Sequence, residues 1–522
     1  MTELLTATQM QSVEKAAMEA GAVTGRALME RAGRGAVDAL FEAGPHLRDR
    51  PGHAVVLCGP GNNGGDGYVV ARRLADLGWT VEVFAFGDPE KLSEDATGMR
   101  ALWLDRGPVG EMSAAGQGQK SQVLVDAMFG TGLGRPIPAE CAEAFHAVRA
   151  RPGYGSVTVL ALDCPSGLSC DSGAVLVPEQ AETDFRLIAD LTATFHAPKR
   201  GHYLGEGPTL CGRLAVVDIG LDAEPEPGAF EMPAPDRLRL LERRGDWPAA
   251  ALRAFSRSAH KYERGHVLVL GGGPGKGGAS RMTARAALRI GAGLVTLAVP
   301  PGALQENAAQ LDAIMLKPLR DAEALSQMLE DDRLSTLVLG PGLGKGEGTR
   351  ALVRAALAAE RATVLDADAL TSFSEAPEAL FDALHPACVL TPHEGEFARL
   401  FPDLGQKSRE MAKPEAAAEA ARRAGATILL KGPDTVIASP DGAVSLQASA
   451  YERSARWLGT AGAGDVLAGM IGGMLGQGTV PAHLAAEAAA WLHVEAALAF
   501  GPGLVAEDLP DMLPRVFRDL GA

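Results

Sequence analysis

A run of small residues, 459–469, carries the clearest capacity for chemistry in this chain. It passes from glycines and alanines into an apolar helical pattern that includes Val466 and Leu467. Bare backbone N–H groups at a helix start can bind an anion, because the helix dipole adds positive potential there. Asp465 stands at that start and can take a proton from a hydroxyl held beside a bound phosphate. The pattern predicts phosphoryl transfer or phosphate release, against the alternative of a glycine-rich turn that Asp465 caps.

The second half of the chain alternates between strand and helix patterns from about residue 265. Short apolar runs predict buried parallel strands, and longer runs with helical spacing predict the helices between them. The predicted strands are 266–270, 294–299, 336–340, 363–366, 388–391 and 427–431, and the predicted helices are 279–291, 347–359, 413–424, 464–476 and 481–499. This alternation predicts an α/β sheet with helices on its faces.

Polar side chains of the second half follow these strands, where open α/β sheets bind their ligands. Asp366 and Asp368 follow one strand, and either carboxylate can hold a magnesium ion through water. His393 follows the next strand. Lys431 and Thr435 follow the last one, and with the backbone between them they suit a nucleotide phosphate or ribose. A lone His or Lys is more often a surface residue, so the prediction depends on their shared position at strand ends.

The first half shows the same alternation with different motifs. Residues 8–44 read as two helices, and a further helix is predicted at 139–148. The predicted strands are 54–58, 81–85, 122–126, 156–163, 191–195 and 214–218. Right-handed crossovers would stack these elements into a three-layer α/β/α sandwich.

Three polar motifs follow neighbouring strands of this half: 59–67, 126–135 and 161–167. Each alone can be a capped turn, but three at neighbouring strand ends favour a ligand site. In the first motif, amides and backbone N–H groups can hold a phosphate-bearing ligand, and Asp66 can accept from ring or ribose hydroxyls. The second motif adds Arg135, which can face a phosphate. A hard monovalent cation prefers carbonyl, amide and carboxylate oxygens, and Asn63, Asp126 and Ser166 can offer such atoms.

The composition is that of a globular protein and argues against several partners. A chain of 522 residues exceeds a single core, and the acidic, proline-rich stretch 222–236 reads as a linker between domains 1–221 and 237–522. The net charge of −16 argues against nucleic-acid and anionic-membrane surfaces. Six scattered cysteines without a Cys-x-x-Cys pair predict a reducing compartment and no structural zinc. With no signal segment or membrane-length apolar run, we expect a cytoplasmic protein.

Residues 8–221 resemble the YjeF N-terminal domain family, the NAD(P)HX epimerases. The resemblance lies in 61–67, 126–132 and 163–167, with Lys199-x-Gly-His202 in its expected place. It implies a Rossmann-like domain that interconverts the R and S forms of hydrated NADH and NADPH, with Asp163 as the acid/base group and Asn63, Asp126 and Ser166 as ligands of potassium. It also implies hydrate-binding residues, namely Asn62, Asn63, Gly64, Gly65, Asp66, Gly130, Thr131, Gly132, Leu133, Gly134, Arg135, Pro136 and Asp163.

Residues from about 240 to the end resemble the ribokinase-like superfamily and, within it, the ADP-dependent NAD(P)HX dehydratases of the YjeF C-terminal type. The resemblance lies in 260–261, 271–280, 340–344, 391–396, 431–432 and 462–465. It implies that Asp465 deprotonates the hydroxyl of the hydrate, which then attacks the terminal phosphate of ADP, with magnesium present. Ala279, Gly342, His393 and Asp465 are the implied hydrate ligands, and Lys431, Gly432, Pro433, Asp434, Thr435 and Gly464 are the implied ADP ligands.

Together the two resemblances predict a bifunctional repair enzyme, an isomerase joined to a lyase. It would epimerise NADHX and NADPHX and dehydrate the S form to NAD(P)H, converting ADP to AMP and phosphate. The main alternative is a kinase of the hydroxyethylthiazole or hydroxymethylpyrimidine type, which shares the Gly-Ala-Gly-Asp sequence but not the fused first domain. A third alternative is a binding module in the first half that has lost catalysis. We also expect a homo-oligomer, although no residue pattern specifies its order.

Overall fold

The computed structural model describes residues 2–153, 155–176, 186–221, 237–243, 260–406, 411–478 and 480–521. Its contacts divide the chain into two compact units, one of residues 3–232 and the other of residues 233–522 with residues 1–2. The linker predicted at 222–236 lies outside the described residues. The predicted domain limits at 221 and 237 therefore stay predictions.

The first unit is built on a sheet of seven parallel strands. Their order from one edge is Val109–Glu111, Thr80–Ala85, His53–Cys58, Val123–Ala127, Thr158–Leu162, Leu191–Phe195 and Arg213–Val217. The α-helices are Ala7–Glu19, Gly25–Ala43, Pro45–Asp49, Asn62–Asp76, Glu94–Leu104, Ala139–Arg149 and Gly207–Leu210, and a short strand, Thr2–Leu4, precedes them.

Side chains on the two faces of this sheet enter separate hydrophobic clusters. Val56 and Val125 pack on one face with the helices Gly25–Ala43 and Asn62–Asp76. Val55 packs on the opposite face with the helix Ala139–Arg149. Because buried parallel strands need apolar cover on both faces, the arrangement is a three-layer α/β/α sandwich. The predicted Rossmann-like architecture is confirmed.

The first glycine-rich motif is more helical than its sequence indicates. The loop after the strand His53–Cys58 spans only residues 59–61, and the helix already begins at Asn62. A Cβ on Gly64 would lie 2.1 Å from the carbonyl oxygen of Gly59. The glycine therefore allows the first helical turn to pack directly against the loop that leads into it. Sequence reasoning placed these residues in a turn because glycines usually interrupt helices.

The second unit contains a larger, mainly parallel sheet. The strand order is Leu238–Leu240, Val444–Ala448, Asp434–Ala438, Thr427–Leu430, Cys388–Leu390, Ala362–Leu365, Thr336–Leu339, His266–Leu270, Leu294–Val299 and Met315–Pro318. Only Asp434–Ala438 runs antiparallel to both of its neighbours among these strands of the described residues. The helices are Gly277–Ile290, Leu304–Ala308, Ala322–Met328, Glu347–Leu357, Asp368–Thr371, Glu378–Phe381, Glu394–Leu400, Pro402–Gln406, Lys413–Ala424, Ala463–Leu475, Ala482–Phe500 and Leu509–Leu520.

The predicted second α/β/α sheet is confirmed, with one addition. Sequence reasoning placed 431–435 after the last strand, but residues 431–433 form the turn of an antiparallel hairpin between Thr427–Leu430 and Asp434–Ala438, and Asp434 and Thr435 begin its second strand. The hairpin was missed because its strands are short and parallel α/β patterns were expected. All six cysteines are buried and free. None of the described helices combines the length and hydropathy that a membrane span requires.

Candidate functional sites

A cavity of about 720 Å³ lies at the carboxyl edge of the first sheet. Its lining includes ten of the predicted hydrate-binding residues: Asn62, Asn63, Asp66, Gly130, Thr131, Gly132, Leu133, Gly134, Arg135 and Asp163. Gly64 and Gly65 are buried in helix packing instead, and Pro136 is exposed beside the cavity-lining loop. The strand-end position predicted from the sequence thus brings most of these residues to one hollow.

Asp163 is the most tightly held group in this cavity. Its Oδ2 accepts hydrogen bonds from the backbone N–H (3.1 Å) and the hydroxyl (2.8 Å) of Thr131. Its Oδ1 accepts from Thr194 Oγ1 at 3.0 Å and from Lys199 Nζ at 2.8 Å. The residue has a φ of 61°, a left-handed conformation that few non-glycine residues adopt. Strain of this kind is tolerated where the surrounding structure fixes the residue.

Lys199 decides the charge of Asp163. Both side chains are buried, and Lys199 Nζ also donates to Thr194 Oγ1 and to the carbonyl oxygen of Phe195. Burial alone would raise the pKa of Asp163, but the charge and hydrogen bond of Lys199 outweigh it and hold that pKa well below its usual range. Asp163 is therefore ionised at neutral pH. The sequence indicated Lys199 only as part of a motif, and its role as the partner of Asp163 was missed.

His202 contacts the backbone of Asp163. Its Nε2 lies 2.9 Å from the carbonyl oxygen of Asp163, and its Nδ1 accepts from the backbone N–H of Lys199 at 3.0 Å. Burial lowers the pKa of His202 to about 4, so the ring is neutral. His202 also lies close to the thiols of Cys164 and Cys170. Because both ring nitrogens already make hydrogen bonds, the group is better explained as packing than as a metal site.

The three predicted cation ligands lie around the loop that follows the strand Val123–Ala127. Ser166 Oγ donates to Asp126 Oδ1 at 2.6 Å and accepts from the backbone N–H of Phe129 at 2.9 Å. A Cβ on Gly130 would lie 3.2 Å from Asn63 Oδ1 and 3.1 Å from Asp163 Oδ2. The loop therefore brings Asn63 close to the carboxylate of Asp163.

Two features of this cluster fit a bound cation. The side-chain oxygen and nitrogen of Asn63 are buried, and neither has a hydrogen-bond partner within the described residues. Burial raises the pKa of Asp126 to about 6, although hydrogen bonds from Ser166 and Met128 oppose the rise. A cation coordinated here would satisfy the amide oxygen and compensate the buried carboxylate.

A wall of the cavity that sequence reasoning missed comes from the helix Ala7–Glu19. Gln11, Glu14 and Met18 of this helix line the cavity. Their spacing of three and four residues places them on one helical face. The sequence contained part of this signal, because the polar Gln11 and Glu14 interrupt the apolar pattern, but surface exposure explained it equally well.

The second candidate site lies at the start of the helix Ala463–Leu475. Asp465 is in the first turn of this helix, which follows Gly462 in a left-handed conformation, with φ of 91°. A Cβ on Gly464 would lie 3.3 Å from Lys431 Nζ, so the lysine points at this helix start. The residue predicted as the base and the lysine predicted to bind nucleotide are thus brought to the same place.

Asp465 lies in a negative environment. Burial raises its pKa to about 6, the charges of Asp366 and Asp368 add to the rise, and the charge of Lys431 opposes it. Lys431 Nζ donates to Asp366 Oδ1 at 2.7 Å, and Thr391 Oγ1 donates to the same oxygen at 2.9 Å. A carboxylate with a pKa near neutral is suited to accept a proton during catalysis. The excess of carboxylates also fits a divalent cation.

Ala279 and Gly342 reach this site through close packing. A Cβ on Gly342 would lie 3.7 Å from Ala279 Cβ, which places the two residues in contact. Thr283 Oγ1 makes two contacts, at 3.0 Å to the carbonyl oxygen of Ala279 and at 2.9 Å to that of Asp465. Thr283 joins the two helices that carry Ala279 and Asp465, and the sequence did not identify it.

His393 and the predicted nucleotide turn lie beside Lys431. The backbone N–H of Lys431 donates to the carbonyl oxygen of Pro392 at 2.9 Å, which places His393 next to this lysine in space. His393 caps the following helix through its Nδ1, and its side chain is about half exposed. Thr435 Oγ1, from the start of the strand Asp434–Ala438, donates to the carbonyl oxygen of Gly432 at 2.7 Å and so closes the hairpin turn.

Asp434 is involved in holding this turn. Lys413 Nζ lies 2.6 Å from Asp434 Oδ1 and 3.7 Å from Glu394 Oε1. Lys413 brings a second cation beside the turn, and sequence reasoning missed it. By contrast, residues 260–261 of the sequence motif precede the strand His266–Leu270 and so lie at the opposite edge of the sheet.

Each unit is thus an α/β sandwich with a carboxylate at the carboxyl edge of its sheet, and the protein has the organisation of a two-domain enzyme. Residues 25–201 match the family model described as the YjeF-related protein N-terminus, and residues 267–514 match that of NAD(P)H-hydrate dehydratase. A bifunctional NAD(P)H-hydrate repair enzyme of Salinibacter ruber is 37% identical, with 98% of this chain and 96% of that protein covered. The corresponding enzyme of Coxiella burnetii is 35% identical, with coverages of 95% and 94%.

The chain belongs to the family of bifunctional NAD(P)H-hydrate repair enzymes. Its predicted function, the repair of hydrated NAD(P)H by an epimerase and a dehydratase, is confirmed by this family membership. A crystal structure of an ADP/ATP-dependent NAD(P)H-hydrate dehydratase from Bacillus subtilis, obtained with ATP and Mg²⁺, is 28% identical. It covers 51% of this chain and 93% of that chain, with a TM-score of 0.43.

Proposed function

We propose that the cavity of the first unit exchanges the R and S epimers of NADHX and NADPHX. The observation that supports this proposal most directly is the ionised, buried Asp163 in a hollow lined by the backbone of 130–134 and by Arg135. The hydrated carbon bears a hydroxyl beside the ring nitrogen, so the nitrogen lone pair can expel that hydroxyl and water can add again from the other face. Asp163 is placed to accept the proton of the adding water.

Potassium is proposed as the cation of this unit, held by Asn63, Asp126 and Ser166. A bound potassium ion would supply a fixed positive charge near the 126–130 loop. The residues themselves position the loop, since Ser166 joins Asp126 to the backbone of Phe129. That loop carries Gly130 and Thr131, and Thr131 bonds directly to Asp163.

Epimer exchange should therefore be faster in potassium than in lithium at equal ionic strength. Asn63→Ala should remove most of this difference, because it deletes a buried oxygen that lacks another partner in the described structure. Asn62→Ala is the matched control. Asn62 Oδ1 accepts from Ser93 Oγ at 2.7 Å instead, so this variant should keep the response to potassium. Equal rates of the wild-type protein in the two salts would contradict the assignment.

The second unit is proposed to dehydrate the S epimer with ADP as co-substrate. Asp465 takes the proton of the hydrate's hydroxyl, and the oxygen attacks the β-phosphorus of ADP, so that AMP leaves. Phosphate then leaves the ring carbon, a proton is lost from the adjacent carbon, and the dihydronicotinamide double bond is restored. Phosphorylation is needed because hydroxide is a poor leaving group and phosphate is a good one.

Each proposed ligand has a place in this reaction. Lys431, Gly432 and Pro433 form the hairpin turn beside the helix start at Gly464, Asp434 and Thr435 begin the strand after it, and these residues together would bind ADP. Thr283 links Ala279 to Asp465, Gly342 lies beside Ala279, and His393 lies beside Lys431; Ala279, Gly342 and His393 would hold the hydrate. Magnesium, when bound through Asp366 or Asp368, would supply positive charge to the phosphates. The backbone N–H groups at the helix start stabilise the phosphate negative charge.

The whole proposal is tested with the full chain and a mixture of both NADHX epimers. With ADP and magnesium, dihydronicotinamide absorbance should recover from the entire pool, because the first unit resupplies the S epimer. Without ADP, chromatography should show exchange of the epimers and no recovery of absorbance. If dihydronicotinamide absorbance recovers only at the background rate at saturating ADP, the dehydratase assignment of the second unit is contradicted. If the recovery stops when the S epimer is used up, the epimerase assignment of the first unit is contradicted.

A further inference from the structure

The helix Ala7–Glu19 presents one face to the epimerase cavity and an adjacent face to the core. Glu14 lies on the cavity face, between Gln11 and Met18. Met10 is buried in the core, and Val13 packs partly against it. This helix is fixed at its start, where Thr6 forms a capping box with Gln9. Glu14 is therefore held in place as a wall residue.

The charges that face Glu14 come from other elements of the same unit. They are Asp163 after the strand Thr158–Leu162, Lys199, and Asp66 in the helix Asn62–Asp76. Burial and then the charge of Asp163 raise the pKa of Glu14 above its usual value, with Lys199 opposing the rise. Glu14 therefore keeps its proton to a higher pH than an exposed glutamate.

In its resting, ionised state Asp163 cannot supply the proton that the leaving hydroxyl needs. Four donors from three residues already bond to its two oxygens, and Lys199 keeps it ionised. A site that expels hydroxide from one face and adds water to the other needs both an acid and a base. Two carboxyl groups whose environments push their pKa values apart meet this need.

We propose that Glu14 is a second catalytic residue of the epimerase, the general acid that protonates the departing hydroxyl. The ring-carbon–oxygen bond breaks with its electron pair going to oxygen, and the Glu14 proton converts that oxygen to water. The nitrogen lone pair forms a carbon–nitrogen double bond to the same carbon. A water molecule adds from the other face and gives its proton to Asp163. The reverse epimerisation uses the two groups in the opposite order.

Asp66 is the competing candidate, since burial and the charges of Asp163 and Glu14 raise its pKa well above the usual value. Asp66 also lines the cavity, but it is only 9% exposed, whereas Glu14 is half-buried at the cavity wall. A general acid must regain its proton from water after each turnover. The position of Glu14 permits this exchange, and the burial of Asp66 opposes it.

This inference rests on the proposed epimerase function, and the experiment separates the two. Exchange of purified S-NADHX to the R form is followed by chromatography for the full chain as a function of pH. For the wild-type protein, kcat should fall as pH rises through the pKa of Glu14, because the acid form is lost. Glu14→Gln should lower kcat by about 10²-fold or more and abolish this alkaline fall. Glu14→Asp should keep the fall and restore part of the rate.

Gln11→Ala is the matched control on the same helical face, and it should raise KM while keeping the pH profile. Hydrogen exchange of peptides that contain Val123–Ala127 and Leu191–Phe195 reports whether the first unit of each variant is folded. No exchange by the wild-type protein would contradict the epimerase function itself. Wild-type exchange with an unchanged rate and pH profile in Glu14→Gln would overturn the role of Glu14 alone. Loss of the alkaline fall in Asp66→Asn, with the fall retained in Glu14→Gln, would transfer the role to Asp66.

Discussion

Asp465→Asn is expected to lower the rate of dehydration by about 10³-fold while epimer exchange continues unchanged. The amide keeps the size of the carboxylate but cannot take the proton of the hydrate's hydroxyl. Its carbonyl oxygen can still accept a hydrogen bond, so hydrate binding should change less than kcat. Single-turnover dehydration of S-NADHX with saturating ADP measures the chemical step, and chromatography of the epimers measures the other activity in the same preparation.

The pH dependence provides a second measurement on the same variant. Burial and the neighbouring Asp366 raise the pKa of Asp465 to about 6, and the base form is the ionised one. For the wild-type protein, kcat/KM for dehydration should therefore rise as pH increases through about 6. This rise should be absent from the variant. Equal loss of dehydration and epimer exchange would contradict two independent active sites, and an unaffected dehydration rate would exclude Asp465 as the base.

The second large effect is expected on stability. Lys199→Met should lower the opening free energy of the first unit by about 3–5 kcal/mol, since it leaves the buried Asp163 carboxylate without its charged partner. Hydrogen exchange of peptides that contain Val123–Ala127 and Leu191–Phe195 measures this quantity without requiring the whole chain to unfold in one step. The rate of epimer exchange should also fall in Lys199→Met, because the pKa of Asp163 rises when the lysine is removed.

Lys15→Met is the control for this variant. Lys15 pairs with Glu19 on the surface, where both side chains are mostly exposed, and its loss should change stability by less than about 0.5 kcal/mol.

The effect of Lys199→Met on stability should depend on pH. Asp163 has a lowered pKa when folded, so its pairing stabilises the protein above the unfolded pKa of about 3.9 and is lost as pH falls through the folded value. A loss of stability that is the same at pH 3 and pH 7 would contradict the ion pair as its cause.

Much of the fold could be predicted because strands and helices leave different apolar patterns in this sequence. The strands at 191–195, 266–270 and 294–299 and the helix at 413–424 have the predicted bounds. Fully buried parallel strands read as continuous apolar runs, and the helices between them are amphipathic. The hairpin of Asp434–Ala438 was missed because an antiparallel addition changes the connection and leaves the apolar pattern intact.

The candidate sites were predictable to the extent that strand ends determine them. Asp126, Asp163 and Asp366 each follow or end an apolar run, and parallel strands deliver such residues to one edge. The helical start of the first glycine-rich motif was not predictable. It depends on Gly64 packing against the carbonyl oxygen of Gly59, a contact that no propensity scale contains.

The sequence by itself determined the order of strands and helices, the residues at their ends and the family to which the chain belongs. Only the tertiary structure decided which charges meet: Lys199 with Asp163, Lys431 with Asp366, and Glu14 with the cavity of the first unit. The physical reason is that periodicity is a local property, whereas a pairing between side chains 36 or 65 residues apart depends on strand order and burial. Burial raises the pKa of a carboxyl group, and the neighbouring charges and hydrogen bonds decide whether the net shift is upward or downward.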